Sequence, residues 1–266
     1  MTGTITLSIE GPVATITIDR AETRNPLGLA GDGALVEGFC TQINADLSIR
    51  CAIITGAGQA FSAGGDVKAM RDRTGGFAGS PAEIGAYYER EIHRLLKSLH
   101  GLETPLIAAV HGPAIGLGCD VACLADIRLA STQARFGATF LKLGLIPGDG
   151  GAWILPRAIG RARAAELFFT GDVIDAQTAL DWGLVSRVIE PAALMDEARA
   201  LARKIAEQPP LALRETKKLL GAAQTASYEE ILTASAITQG RMHHTADHAE
   251  GVAALLEKRP PRFSGG

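Results

Sequence analysis

Two short glycine-rich segments carry the residue types best suited to stabilising negative charge. Phe61–Asp66 reads FSAGGD, and His111–Asp120 reads HGPAIGLGCD. Glycine permits unusual backbone angles and lets a ligand come close to the main chain. Free N–H groups at the start of a helix attract developing negative charge. The two loops together would make a paired donor site for an oxyanion, whereas either loop alone is better explained as a tight strand-to-helix turn.

Two carboxylates near these segments are candidate acid–base groups. Asp120 falls in the first turn of the helix predicted after Leu117, and Asp149 lies in the loop Pro147–Gly151. A positioned carboxylate can take a proton from a reacting group and return it. The structural alternatives are a helix-start charge for Asp120 and the cap of a helix beginning at Gly151 for Asp149.

The elements that would position these residues alternate between strands and helices. Residues 5–9 and 13–18 alternate apolar and polar side chains across Gly11-Pro12, which predicts a hairpin with one buried face. Short apolar runs predict strands covered on both faces. The predicted strands are 51–54, 106–110 and 126–130, and the predicted helices are 30–45, 82–99 and 117–125. This alternation implies an α/β core with parallel strands.

From residue 191 onward the pattern is helical only. The predicted helices are 191–207, 211–224, 228–241 and 247–258, the last with Asp247 and Glu250 at the spacing of a capping box. We therefore divide the chain into an α/β core, residues 1–190, and a C-terminal helical region, residues 191–266. Helices this apolar need a surface to cover, either their own core or a neighbouring subunit.

Composition excludes several classes of protein. The 266 residues carry a formal net charge of −3 and are 47% hydrophobic, which fits one large domain and leaves no global field to attract nucleic acid. No apolar stretch approaches the roughly 20 residues that span a membrane. The first dozen residues lack the pattern of a signal peptide, so we expect a cytoplasmic protein. The four cysteines form no CxxC pair, so we expect buried, reduced thiols and no metal site; they are Cys40, Cys51, Cys119 and Cys123.

Other catalytic motifs fit poorly. Gly56-Ala57-Gly58 begins like a dinucleotide-binding loop, but the third glycine of that motif falls on Phe61. Ala60–Gly64 resembles the turn that carries the nucleophilic serine of a hydrolase, with Ser62 as the nucleophile. No histidine lies in a distinctive loop, so a serine hydrolase is a remote alternative. The chain has neither a phosphate-binding GxxxxGK[ST] loop nor an HExxH zinc motif.

Taken in order, motifs along nearly the whole chain resemble the crotonase (enoyl-CoA hydratase/isomerase) superfamily. One match would be weak, but the ordered set is highly specific. The resemblance implies a spiral of ββα units with a C-terminal helical region. The matching motifs are Arg20, Asn25–Leu27, Phe61–Asp66, Gly112–Asp120, Ile146–Gly151, Leu155-Pro156, Thr170-Gly171, Gly183–Val185 and Glu257–Arg259.

The resemblance implies a site for a coenzyme A thioester. The backbone N–H groups of Gly65 and Leu117 would form the oxyanion hole for the thioester carbonyl, where each donor is typically worth about 2.7–4 kcal/mol. Relatives usually have glycine at Leu117, so this side chain must point away from the acyl group or narrow its pocket. The other implied binding residues are Ala63 and Gly64 along the adenine and pantetheine, Arg24 and Lys258 at the phosphates, and Asp66 and Phe140 as further substrate-binding residues.

The chain departs from the family pattern where a hydratase places its two glutamates. The first position matches Asp120, which is one methylene shorter, and the second matches Phe140, which transfers no proton. Some isomerases of the family resemble this chain at Asp120 but have their second acid at the position of Gly148 rather than Asp149. One carboxylate suffices to move a proton between the α and γ carbons, so double-bond isomerisation is easier to support than hydration. A non-catalytic acyl-CoA-binding protein is the alternative.

The resemblance also bears on cofactors and assembly. We expect no metal and no redox cofactor, since coenzyme A is part of the substrate. The expected partners are an acyl-CoA or enoyl-CoA and further copies of the chain, in a homotrimer or a dimer of trimers, with no nucleic acid and no membrane.

Overall fold

A computed structural model of the protein, which describes residues 3–266, centres on a six-stranded sheet. The strand order is β1-β2-β3-β4-β6-β9, with β1 antiparallel to β2 and every other neighbouring pair parallel. The predicted hairpin and buried strands are confirmed. The strands of this sheet are β1 (Thr4–Glu10), β2 (Val13–Asp19), β3 (Cys51–Gly56), β4 (Leu106–Val110), β6 (Ile127–Ser131) and β9 (Arg187–Ile189).

The protein has a second, smaller sheet, whose first two strands each follow closely after a strand of the large sheet along the chain. It contains β5 (Pro113–Ile115), β7 (Arg135–Gly137) and β8 (Val173–Asp175), in the order β5-β7-β8. Two isolated bridges extend it, from Ser62 to Ala114 and from Pro26 to Gly64. Successive segments thus add one strand to the large sheet and one short extended piece to the small one. This is the repeating ββα spiral that the sequence predicts.

Twelve α-helices surround the two sheets within residues 3–266. The helices are α1 (Asp32–Ala45), α2 (Val67–Asp72), α3 (Pro81–Tyr87), α4 (Arg94–His100), α5 (Leu117–Leu124), α6 (Gly151–Ile159), α7 (Arg161–Thr170), α8 (Ala176–Asp181), α9 (Leu194–Ala206), α10 (Pro210–Ala222), α11 (Tyr228–Met242) and α12 (Ala246–Glu257). Short 3-10 turns occupy Ala21–Thr23, Gly75–Phe77, Thr139–Leu143 and Pro191–Ala193. The first turn of α1 is fixed by a buried bidentate ion pair, in which Arg20 donates to both carboxylate oxygens of Asp32.

The large sheet is covered on both faces, as its continuous apolar strands predict. One face packs against α1, α4 and α5 in the main core. The other packs against α9, whose Leu194, Ala198 and Ala202 are buried on Ile53 and Ile107. The C-terminal region from residue 191 therefore begins with a helix that completes the core of its own chain, and only the later helices extend beyond it.

Two predicted helix features are wrong in detail. The predicted helix 82–99 is α3 followed by a π-helical turn at Tyr88–His93 and then α4, because one residue too many is fitted into that stretch. The predicted capping box at Asp247 is absent. Thr245 caps α12 by accepting a hydrogen bond from the His248 N–H, while the Asp247 carboxylate accepts from the N–H groups of Ser264 and Gly265.

All four cysteines are buried, as the sequence predicts, and none is joined in a disulfide. Among the described helices, none combines the length and the apolar character needed to cross a membrane.

Candidate active site

The first glycine-rich loop is held to the end of the β1–β2 hairpin by Asn25. Its side-chain amide donates to the carbonyl oxygens of Ala57 and Ala60 at 2.7 and 2.6 Å, and its side-chain oxygen accepts from the Arg20 N–H at 2.8 Å. Asn25 is fully buried, and the Ser62 hydroxyl donates to its backbone carbonyl at 2.7 Å. The loop is therefore rigidly attached to the sheet on the side where the hairpin ends.

The two glycine-rich loops lie side by side. The Ser62 N–H donates to the Pro113 carbonyl at 3.0 Å, and the Ile115 N–H donates to the Ser62 carbonyl at 2.9 Å. Gly64 has a φ of +90°, and a methyl group there would lie 2.6 Å from the Ile115 oxygen and 3.5 Å from the Leu117 nitrogen. Only glycine fits this contact, because any side chain would push the second loop away.

The backbone N–H groups of Gly65 and Leu117 are free at this contact. Neither donates a hydrogen bond to any residue in the range 3–266. Leu117 is the first residue of α5, so its N–H has no acceptor within the helix, and the positive end of the helix dipole adds to it. Both residues line the same cavity. The arrangement supplies the paired donors that an oxyanion needs.

The cavity has a volume of about 290 Å³. Its walls are mostly apolar or backbone, with Asp149 as the buried carboxylate among them. The lining residues are Leu27–Leu29, Ala63–Val67, Met70, Phe77, Tyr88, Ile92, Ile115–Leu117, Thr139, Phe140, Lys142, Leu143, Leu145 and Asp149. A small, mostly apolar cavity with one buried carboxylate and two free amides can bind an acyl group and abstract a proton beside its carbonyl.

Asp149 has the environment of a general base. It is 6% exposed, and burial raises the pKa of its carboxyl to about 6, with the nearby His93 acting in the opposite direction. The loop is fixed by a contact of 2.8 Å between His93 Nε2 and the Gly148 carbonyl oxygen. Helix α6 begins at Gly151 with Gly150 as its cap residue and no side-chain capping bond, so Asp149 does not cap it. A carboxylate with a pKa near neutrality is suited to proton transfer.

Asp120 lies behind the cavity rather than in its wall. It is completely buried, neither carboxyl oxygen has a hydrogen-bond partner within the described residues, and it is not among the cavity-lining residues. Its oxygens fit against Gly151, where a methyl group would lie 2.5 and 2.6 Å from them. Burial, followed by the charges of Cys123 and Asp149, raises the pKa of Asp120 well above its usual range. The site thus favours a neutral Asp120.

Of the side chains that depart from the family pattern, Leu117 and Phe140 line the cavity. Leu117 is 2% exposed and its δ-carbon lies against the Gly28 position, where an added methyl group would be 3.4 Å away. Its side chain therefore points into the core beside Ile92 and narrows the cavity on that side. Phe140 supplies an aromatic wall and lies close to Gly116, whose added methyl group would be 3.7 Å from the ring.

The remaining predicted site residues fall into two groups. Ala63, Gly64 and Asp66 line the cavity, and the Asp66 carboxylate also caps α2 by accepting from the Lys68 and Ala69 N–H groups. Arg24 and Lys258 are exposed and do not line it, so their contact with phosphates stays a prediction.

The serine hydrolase reading of Ser62 is wrong. Its hydroxyl is fully buried, donates to the Asn25 carbonyl and accepts from the Gly64 N–H at 3.2 Å. No described histidine is hydrogen-bonded to it, so it lacks the base that a nucleophilic serine requires.

Sequence reasoning missed the π-helical turn and the aromatic side chains that it presents. Tyr88 and His93, at the two ends of the turn, have their ring centroids 6.1 Å apart, and both lie close to Gly148, the residue before Asp149. Burial, with the Asp149 charge, raises the pKa of Tyr88. Phe77 lies in the loop-like segment Met70–Tyr88, which the sequence predicts to shape the acyl pocket, and it lines the cavity. Single extra residues in helices leave no periodic signal, although π-turns are common at functional sites.

Within residues 3–266 no group of three or more His, Cys, Asp or Glu side chains could hold a metal ion.

Comparison with known proteins agrees with this geometry. The sequence profile described as enoyl-CoA hydratase/isomerase matches residues 8–266. The 1,2-epoxyphenylacetyl-CoA isomerase of Escherichia coli (strain K12) is 38% identical, with 97% of each chain covered. The (E)-benzylidenesuccinyl-CoA hydratase of Thauera aromatica is 37% identical, with 98% of this chain and 99% of the relative covered. The crystal structure of an enoyl-CoA hydratase from Bacillus anthracis superposes with a TM-score of 0.91 at 33% identity, covering 98% of this chain and 99% of that one. The chain belongs to the enoyl-CoA hydratase/isomerase family.

Proposed function

We propose that this family member is an enoyl-CoA isomerase that moves a double bond between the β,γ and α,β positions of an acyl-CoA. The observation that carries the proposal is the cavity itself, whose lining contains one buried carboxylate, Asp149, together with the residues of the two free amides, Gly65 and Leu117. The position of the second hydratase glutamate is occupied by Phe140, which cannot hold or activate water. The names of the relatives include both an isomerase, of 1,2-epoxyphenylacetyl-CoA, and a hydratase, of (E)-benzylidenesuccinyl-CoA, so the proposal rests on the site and not on those names.

The reaction needs one base and one oxyanion site. The Asp149 carboxylate takes the α-proton of a 3-enoyl thioester, and the electron pair of the broken C–H bond delocalises into a dienolate. The charge that develops on the thioester oxygen is stabilised by the N–H groups of Gly65 and Leu117, which are bonded to nothing else in the described chain. Asp149 then returns the proton to the γ-carbon, which leaves the double bond conjugated with the carbonyl and the carboxylate regenerated.

Asp149 is proposed as the base in preference to Asp120 for two reasons. Asp149 lines the cavity, whereas Asp120 does not. The pKa of Asp149 is about 6, so it is ionised at neutral pH, whereas the pKa of Asp120 is raised well above its usual range. In this proposal Asp120 stays protonated and fills the space beneath Gly151 that positions the Asp149 loop.

The proposal includes assembly and compartment. Large apolar side chains on α11 and α12 are exposed, among them Tyr228 (73%), Ile237 (64%) and Leu255 (79%), which supports a homotrimer or dimer of trimers that covers them. Free buried thiols such as those of Cys119 and Cys123 are typical of a reducing compartment and support the cytoplasm. The proposed reaction needs no metal or redox cofactor, since coenzyme A enters as part of the substrate.

Turnover of two substrates tests the proposed reaction. The purified protein is incubated with a 3-enoyl-CoA and, separately, with crotonyl-CoA, and the products are identified by proton NMR. We expect conversion of the 3-enoyl-CoA to the 2-enoyl-CoA, with little water added to crotonyl-CoA. Rapid hydration of crotonyl-CoA would contradict the assignment and make the enzyme a hydratase with an atypical site. Tight binding of both thioesters without turnover would support the non-catalytic alternative.

A further inference from the structure

The substrate cavity shares one wall with a second depression on the surface of the protein. The second depression is an open groove of about 890 Å³, compared with about 290 Å³ for the substrate cavity. Leu29, Asp66 and Phe77 line both. The Asp66 carboxylate is held at the start of α2, where it accepts hydrogen bonds from the Lys68 and Ala69 N–H groups. The large apolar side chains between the two spaces are those of Leu29 and Phe77.

Phe77 is held in place by its neighbours. Its ring contacts the edges of Tyr87 and Tyr88, with centroid distances of 5.8 and 6.4 Å and interplanar angles of 60° and 72°. Tyr87 is itself anchored, because its hydroxyl donates to the Gly28 carbonyl at 2.8 Å. Gly76 lies directly on the Tyr87 ring, where an added methyl group would be 2.2 Å from a ring carbon. The Phe77 ring is thus held in position by the packing of its neighbours.

Beyond Phe77 the groove is lined mainly by small residues and backbone. These residues leave room along the groove, and its charged side chains are Asp66, Glu83 and Arg90. The groove residues other than the shared wall are Ala30, Ala69, Thr74–Gly76, Ala78, Gly79, Glu83, Ala86, Tyr87 and Arg90. A chain of methylene groups that passed Phe77 would find space to continue, whereas in the wild-type protein it meets the aromatic ring.

We propose that Phe77 is a specificity-determining residue that ends the acyl site, restricts the enzyme to short acyl groups and closes the passage into the neighbouring groove. This inference rests on the proposed function, since it assigns the acyl group to the cavity that contains Asp149. Removal of the ring joins the two spaces and lets longer chains bind. Each methylene group that is newly buried is worth about fourfold in kcat/KM or in affinity.

The test compares chain-length profiles of the wild-type protein and Phe77→Ala. Values of kcat/KM are measured with straight-chain 3-enoyl-CoAs of six to twelve carbons. We expect the wild-type kcat/KM to fall once the acyl chain is long enough to reach Phe77. The kcat/KM of Phe77→Ala should instead continue to rise with acyl-chain length, by at least tenfold over the longer substrates. Phe77→Leu keeps an apolar side chain in case the alanine variant folds poorly, and should give an intermediate profile.

Phe169→Ala is the matched control. It removes the same side chain from a position that is 78% exposed and lines neither space, so its chain-length profile should match that of the wild type. The inference is overturned if the profile of Phe77→Ala runs parallel to the wild-type profile, or if the wild-type enzyme already prefers the longest chains.

A binding series separates failure of this inference from failure of the proposed function. Dissociation constants of saturated acyl-CoAs of the same lengths are measured by calorimetry for both proteins, and this readout requires no catalysis. If no thioester turns over but the affinities diverge with chain length as described, the assignment of Phe77 holds and the isomerase proposal fails. If turnover is observed and the two affinity series coincide, only the assignment of Phe77 fails.

Discussion

Replacing Asp149 with asparagine should make the protein more stable while it removes activity. The pKa of this buried carboxyl is about 6 in the folded protein, against about 4 in an unfolded chain. Between these values the native state holds a proton that the unfolded state has lost, so stability falls as pH rises from about 4 to about 6. Above pH 6 the Asp149 carboxyl is ionised in both the folded and the unfolded state, so the folded protein bears the full free-energy cost of burying the charge. Two pH units correspond to about 3 kcal/mol, which the neutral amide of Asp149→Asn should recover at pH 7.

The assay is urea denaturation of wild type and Asp149→Asn at several pH values from 4.5 to 8, at equal protein concentration because the proposed assembly would also contribute to stability. The stability difference should shrink to about 1 kcal/mol at pH 4.5 and approach its maximum of about 3 kcal/mol above pH 6. Asp19→Asn removes an exposed charge and should change stability by less than about 0.5 kcal/mol at every pH. A variant that is less stable than wild type at pH 7, or a difference that does not depend on pH, would refute the reasoning.

Other expected outcomes follow from single contacts. The wild-type kcat/KM for the 3-enoyl-CoA should fall as pH drops below about 6, because Asp149 must be ionised to accept a proton, and a flat profile down to pH 5 would contradict this. His93→Phe loses the contact with the Gly148 carbonyl and should lower kcat up to about tenfold with little change in KM, whereas His93→Gln, which can still donate, should recover most of the loss. Gly151→Ala places a methyl group against the Asp120 carboxyl and should destabilise the protein by about 1–3 kcal/mol in thermal unfolding.

The strands of the large sheet could be predicted because the order of apolar and polar side chains along each strand indicates which of its faces are buried. Alternation in β1 and β2 marks one buried face, and the continuous apolar run of β4 marks two. The small sheet could not be predicted. Its strands β5, β7 and β8 have three residues each, and three residues are too few to show a periodic pattern of apolar side chains. The α12 cap was misplaced because Asp247 serves the C-terminal segment instead of its own helix.

The backbone part of the candidate site, the two glycine-rich loops, could be predicted from the sequence. The burial of the individual acidic side chains could not. Glycines at fixed spacing indicated the loops of Gly65 and Leu117, since contact between two main chains restricts residue type. Sequence could not rank Asp120 against Asp149, because the difference is burial: one carboxyl lies under Gly151 and the other in the cavity wall. Tyr88, which lines the cavity, and His93, which contacts the Gly148 carbonyl, stand at the two ends of a π-helical turn that leaves no sequence signal.

Exchange of the α-protons of a saturated acyl-CoA with deuterium from the solvent tests the central claim most directly. Butyryl-CoA is incubated with the protein in D₂O, and loss of the α-proton signal is followed by NMR, which reports enolate formation whatever the downstream reaction. The wild type and Asp120→Asn should both catalyse exchange, and Asp149→Asn should slow it by about 10²–10⁴-fold. Exchange that survives Asp149→Asn undiminished but disappears in a folded Asp120→Asn would contradict the assignment of the base.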